Sequence, residues 1–303
     1  MAAGGRRGAH GVAVRRAVTP YLLVAPFFLV FGMFGVFPLL RTAWVSVHRW
    51  HLVAGPEGFA GLANFRDLLL DPLFYNAVGN TLSIFLLATI PQLGLALGIA
   101  ALLARRGAGW QVLVLVPNVV PVVAVALVFG QLLGRDYGMV NFLLGRVGVG
   151  PVAWQADTWA AHLGVATMVM WRWTGYTALL YLAAMRAVPR ELHEAAELDG
   201  AGRWQRFRTV TLPGIRPTLL FTVVASAIGG VQMFTEPQLF DGSGLAGAGG
   251  SDRQFQTVAM YLYEVGFGRF DAGYAAAMTW VLFLLCAALT AAAVGLVRRV
   301  VRR

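Results

Sequence analysis

"PRELHEAAELDGAGRWQRFRTVTLP", residues 189–213, is the most polar stretch of a chain that is otherwise mostly apolar. It holds four of the fourteen acidic residues and lies between two long apolar segments. What it does depends on what those segments are.

The chain has 303 residues, 58% of them hydrophobic and 13% charged, with a mean hydropathy of +0.67. A soluble core needs less apolar surface, and long unbroken apolar runs point to membrane spans. Phe, Trp and Tyr number 19, 9 and 8, and the last two suit membrane interfaces because each ring carries a polar handle. The net charge of +10 comes from 24 basic residues, all arginine. They flank apolar runs and form no patch on a soluble fold, which argues against nucleic acid. The absence of lysine excludes a lysine-containing phosphate loop and a Schiff base in this chain. If ATP drives a process here, another subunit binds it. Cys286 is the only cysteine and the five histidines are scattered, so no disulfide, metal-ligand set or catalytic set is read.

Six candidate spans are predicted: Pro20–Leu40, Thr81–Leu103, Val112–Leu133, Trp159–Ala184, Thr218–Leu239 and Tyr274–Val297. Each meets the roughly 20 residues that a helix needs to cross the hydrocarbon layer. Pro117 and Pro121 should bend the third. The basic start before the first apolar run also suits a secretory leader. That run is too long for a signal core and no small-x-small site follows, so a retained span is expected.

With the N-terminus inside, the inner segments carry 16 arginines and the outer ones 7, leaving Arg172 within a span. This bias predicts two cytoplasmic termini. The expected organisation is a flexible basic N-terminus (1–19), a transmembrane domain (20–297) with a cytoplasmic region at 189–213, and a basic tail (298–303). The outer stretch "FAGLANFRDLLLDPLFYNAV" has apolar residues at helical spacing and suits the interface, while "GSGLAGAGGSDRQF" reads as a glycine-rich turn. The fold class is all-α and polytopic.

Within 189–213 two short helices are expected. Pro189 fits a first helical turn, Glu191 favours the helix dipole, and Gly200 supplies a left-handed exit. Leu192, Ala195 and Ala196 share a face, with Glu194 and Glu197 beside it. Trp204, Phe207 and Arg208 recur at similar spacing in the second helix, which Pro213 ends. Small alanines admit another chain and the aromatics offer anchors, so the segment reads as a docking surface in preference to a solvated loop.

"EAAELDG", followed after nine residues by "VTLP", resembles the EAA signature of binding-protein-dependent ABC importer permeases. Glu194, Ala195, Ala196, Gly200, Val210, Leu212 and Pro213 occupy its places, with Val210 where isoleucine is more usual. "PYLLVAPFFLVFGMFGVFPLLRTAWVSVHRW", "GLANFRDLLLDPLFYNAVGNTL", "WRWTGYTALLYLAAMRAVPRELHEAAELDGAGRW" and "GYAAAMTWVLFLL" are similar to the MalF/UgpA-type group of carbohydrate importers. The resemblance implies a bacterial inner-membrane subunit. It would form half of a sugar pore with a second permease, so that a heterodimer is expected. Two ATP-binding cassette subunits would supply ATP and Mg chemistry below, and an extracytoplasmic solute-binding protein would deliver substrate. This chain itself would need no cofactor. Glu194 to Gly200, with Asp199, would form a coupling helix seated in the ATPase. Residues from Arg203 to Pro213, including Trp204, Phe207 and Leu212, would brace it.

The substrate path rests on intramembrane polar groups. A charge at Arg172 should face the bundle interior, a polar cavity or the membrane edge. Trp171, Trp173 and Tyr176 flank it, which fits either a sugar-contacting aromatic set or helix packing. Gln232 and Glu236 stand at i, i+4, where Glu236 could line the pore, cap a neighbouring helix or pair with the second permease. Asn80, Gln92, Asn118 and Gln131 are weaker candidates that interhelical contacts explain equally well. A permease for a non-carbohydrate solute such as glycerol phosphate and an ATP-independent secondary transporter are the rival readings, and a membrane-embedded enzyme lacks its catalytic set.

Overall fold

The computed structural model of the chain describes residue 21 and residues 23–104, 106–240 and 248–302. The expected N-terminal region 1–19 and residues 242–247 of the glycine-rich turn lie outside the described residues. The elements are helix α1 (Leu23–Ser46), strands β1 (His48–His51) and β2 (Gly55–Phe59), and helices α2 (Ala63–Leu69), α3 (Pro72–Leu103), α4 (Ala108–Val119), α5 (Val122–Leu132), α6 (Met139–Arg146) and α7 (Thr158–Ala187). They continue as α8 (Arg190–Leu198), α9 (Arg203–Gly214), α10 (Arg216–Val231), α11 (Thr235–Phe240), α12 (Val258–Tyr263) and α13 (Ala272–Arg302).

Among the described residues, three helices are by themselves long and apolar enough to cross a membrane: α1, α3 and Ala272–Gly295 of α13. Two bent pairs raise the number to five, with α4 and α5 meeting at 86° and α9 and α10 at 67°. Helix α7 has the length, at 30 residues, but carries too many polar groups to match that apolarity.

Several expected boundaries shift for identifiable reasons. The third span is two helices. Val120 turns to an extended conformation ahead of Pro121, while Pro117 stays inside α4. The fifth span ends at Val231, so Gln232 and Glu236 sit on different elements and lose their shared helical face. Helix α3 begins at Pro72 because the Asp71 side chain caps it, accepting from Leu73 N at 2.9 Å. The first span runs on to Ser46 and the last to Arg302. The all-α expectation misses the antiparallel hairpin β1–β2. Asn64 Nδ2 anchors that hairpin by donating to the carbonyls of Ser46 and His48, both at 2.9 Å.

Helices α3 and α7 pack together through small residues. Ala96, Ala100 and Ala178 are buried there beside Tyr181 and Leu182, and small side chains let helix backbones approach in a membrane. Gly175 of α7 shows how close that approach is. A Cβ there would stand 1.8 Å from the Val114 carbonyl oxygen, so α4 crosses directly over it. A second cluster joins α3, α5, α7, α11 and the 248–257 loop through Ile84, Val125, Val165, Met168, Phe240 and Phe255. A third unites Leu68, Phe74, Tyr261 and Met278 around the start of α3. Helix α1 contributes no buried residue over its apolar window, which leaves its apolar side chains for lipid or another chain.

Candidate functional site

A cleft of about 430 Å³ opens between α3, α7 and α10. That lies within the range of small-molecule sites. Trp173 and Tyr176 line it from α7, and Gln232 and Glu236 line it where α10 gives way to α11. Four of the five residues expected on a substrate path therefore meet on one surface, despite the break between α10 and α11. The fifth, Arg172, is not among the lining residues. Its guanidinium donates from Nη1 to Glu236 Oε1 at 2.5 Å. Both side chains are shielded, with relative exposures of 15% and 13%.

The remaining polar lining is neutral. Gln92 donates from Nε2 to Thr177 Oγ1 at 2.8 Å and to the Trp173 carbonyl at 3.3 Å. This fixes Trp173, whose ring stands edge-on to Tyr176 with centroids 6.1 Å apart. Thr89, Phe221 and Ser226 also line the wall. Sequence reading missed these three, since single hydroxyls and one Phe in apolar helices carry no pattern. Of the weaker candidates, Asn80 is committed elsewhere and donates to the Arg253 and Gln256 carbonyls at 2.9 and 3.2 Å. Asn118 is half-buried in α4. Gln131 lines a separate open cleft beside α6.

Beyond the C-terminal end of α7 the EAA-bearing segment forms an elbow. Pro189 takes the N-cap position and so precedes the first helical turn instead of occupying it. Helix α8 buries no residue. It closes as expected at Gly200, whose φ is 81°. Ala201 N donates to the Ala196 carbonyl at 2.9 Å and Gly200 N to that of Glu197 at 3.0 Å, the double bond pattern of a Schellman ending. Glu194, Ala195, Asp199 and Gly200 are exposed and Ala196 is half-buried. Leu198 is 90% exposed and Trp204 74%. The Trp204 ring stacks on Phe207, 5.7 Å between centroids, and Arg206 pairs with Glu197 across the elbow. Pro213 lies inside α9 and not at its end, which falls at Gly214; Leu212 is half-buried beside it. Thr211 and Ile215 are buried, and a Cβ on Gly214 would stand 2.7 Å from Val188 Cγ2. The elbow is therefore anchored at its base and open at its tip.

An ionic cluster not foreseen from the sequence sits near the start of α3. Glu264 accepts from Arg253 at 2.5 and 3.0 Å, from Arg269 at 2.6 Å and from Gln256 at 2.7 Å. Burial pushes its carboxyl up, but these donors more than offset that and hold it at about 2. Asp71 accepts from the Tyr261 and Tyr274 hydroxyls at 2.5 and 2.7 Å. Against the upward push of burial, those bonds and two backbone amides lower its carboxyl.

The profile of a family described as "binding-protein-dependent transport system inner membrane component" matches residues 91–302. The lactose transport system permease protein LacF of Rhizobium radiobacter is 32% identical over 281 residues, 90% of this chain and 92% of that one. The trehalose/maltose transport system permease protein MalF of Thermococcus litoralis is 30% identical, covering 91% and 92%. In fold, the chain is similar to a subunit of a bacterial ABC transporter that imports the acidic polysaccharide alginate. The TM-score is 0.79 at 20% identity, over 96% of this chain and 99% of the other.

Proposed function

The chain belongs to the binding-protein-dependent transport system inner membrane component family, and from that premise we propose that it is a permease subunit of an ATP-driven carbohydrate importer. The observation that carries the reading is the elbow at 189–213. It is anchored through Thr211 and Ile215, closed at Gly200 and open to a partner at Glu194, Leu198 and Trp204. Helices α1, α3, α4–α5, α7, α10 with the base of α9, and α13 then make six spans, with α7 tolerating its polar groups because they face the cleft and its neighbours. Both termini and the elbow lie on the cytoplasmic side, as the arginine bias supports. The membrane is the bacterial inner membrane.

Helix α8 acts as the coupling helix. Two ATPase subunits, which supply the ATP and Mg sites, push on Glu194 to Gly200, while α9, through Trp204, Phe207, Leu212 and Pro213, transmits the motion to α10. A second, different permease faces the cleft and completes the pore. An extracytoplasmic solute-binding protein delivers the sugar, as supported by a similar alginate transporter solved with an alginate pentasaccharide-bound periplasmic protein. The chain performs no covalent chemistry. It converts closure of the ATPase pair into an outward-open pore, and hydrolysis returns the pore inward. In the cleft Trp173 and Tyr176 offer apolar faces to sugar CH groups, while Gln232 and Glu236 meet hydroxyls at the rim.

The test is uptake by proteoliposomes carrying both permeases and the ATPase pair, with the binding protein outside and ATP inside. Sugar accumulation that needs ATP and the binding protein is expected. Accumulation driven by a proton or sodium gradient with no ATPase present would sink the reading.

A further inference from the structure

The Arg172–Glu236 pair has an asymmetry that bears on the kind of sugar the cleft accepts. Glu236 lines the cleft and Arg172 does not. The guanidinium is spent on Oε1 at 2.5 Å, and among the described residues Glu236 Oε2 has no partner. Arg172 Nε is also buried and unpaired, so the guanidinium is held back from the cleft with donor capacity unused. No arginine or histidine lines the cleft among the described residues. Its other polar groups are amides and hydroxyls. A carboxylate only accepts hydrogen bonds. It rewards a ligand that brings hydroxyl donors and opposes one that brings its own negative charge; Arg172 cancels the net charge, so what the cleft meets is the negative end of a shielded dipole.

We propose that this cleft selects uncharged, hydroxyl-rich sugars and rejects anionic ones. Glu236 presents its free oxygen as the discriminating acceptor, and Arg172 stabilises that carboxylate from behind the wall. The inference rests on the cleft being the sugar path. Specificity here is built as much from repulsion as from attraction. Uronates, sulfonated sugars and sugar phosphates find a carboxylate where they need a cation, while a neutral hexose or disaccharide donates to it. Glu236→Gln should invert the preference, because it leaves Arg172 as the uncompensated charge beside the cleft.

The charge of the cleft can be read without knowing the physiological substrate. In a Cys286→Ser background, Ser226→Cys places a single thiol on the cleft wall of the assembled importer in proteoliposomes. Its rates of modification by an anionic and a cationic methanethiosulfonate reagent are compared, each relative to a free thiol. With the pair intact, the cationic reagent should be favoured. Glu236→Gln should shift the ratio at least tenfold towards the anionic reagent, a floor set by one unit charge about 10 Å away at an effective dielectric of about 20. Arg172→Gln together with Glu236→Gln removes both charges while keeping both amide shapes, and should return the ratio to that of the free thiol. A ratio unchanged within twofold by Glu236→Gln, or a parent ratio that matches the free thiol or favours the anionic reagent, overturns charge selection and leaves the importer reading standing, because ATP-driven uptake is measured separately.

Discussion

Arg172 and Glu236, 64 residues apart in the chain, meet at 2.5 Å at the cleft wall and tie α7 to α11. Removing one partner of a shielded pair strands the other charge, which costs about 3–5 kcal/mol. Arg172→Met or Glu236→Leu alone should therefore lower the thermal midpoint of the detergent-solubilised complex. The pair Arg172→Met with Glu236→Leu should lose much less, since apolar residues of similar volume strand nothing. Thermal unfolding of the three variants measures the coupling directly. Equal losses in all three would show that packing, and not charge, holds α11 to α7.

The α7–α4 crossing offers a purely steric prediction. A Cβ at Gly175 would stand 1.8 Å from the Val114 carbonyl oxygen, so Gly175→Ala forces the α4 backbone to move. Overpacking of this kind costs about 1–3 kcal/mol. Gly98→Ala is the contrast. It lies within α3 with nothing near its added methyl, and replacing a mid-helix glycine there should stabilise by about 0.5–1 kcal/mol. Opposite signs in the shift of unfolding temperature are expected for the two substitutions.

How much of this was legible in the sequence depended on the range of the interactions. The apolar runs carried α1, α3 and α13 and the prolines carried the break at Pro121, because a helix is dictated by local periodicity and by the missing amide of proline. Gly200 was readable as the end of α8 because its left-handed φ is a local demand. The hairpin was not, since "GPEGF" has no alternation and its partner strand is only four residues long. Gln232 and Glu236 were both expected on a substrate path and both line the cleft, but the helix linking them is absent. The Arg253–Glu264–Arg269 cluster was invisible. Its parts come from a loop, a π turn and the residue that follows it, and only the fold brings them together.

The elbow should separate folding from coupling. Trp204 is 74% exposed and, among the described residues, its one ring contact is Phe207, so Trp204→Ala removes little internal packing. If it anchors the ATPase, its loss should weaken assembly by about 2 kcal/mol, roughly thirtyfold in dissociation constant. Titration of purified ATPase onto the permease pair measures this, with unfolding temperature as the control. Gly200→Ala acts differently. The added methyl meets nothing, but a φ of 81° strains any side-chain-bearing residue by about 1–2 kcal/mol. Binding-protein-stimulated ATP hydrolysis should fall while assembly is largely kept, because the helix end frays without losing its contact side chains.

Acid sensitivity should trace to Glu264. Its carboxyl titrates at about 2 in the folded chain against an ordinary value of 4.5. A depressed folded value means that the stability it contributes is complete above 4.5 and is lost as pH falls towards 2. Glu264→Gln keeps the shape and deletes the charge, so it should lower the unfolding temperature at neutral pH. The gap between parent and variant should then hold down to about pH 5, narrow below 4.5 and close near 2. Arg253 and Arg269 stay charged throughout that window, so they do not contribute a titration of their own. A gap that is the same at pH 7 and pH 3 would mean that Glu264 contributes through packing alone. The loop around Arg253, which also receives Asn76 and Asn80 of α3 on its carbonyl at 3.0 and 2.9 Å, would then be held by those amides and not by the ion pairs.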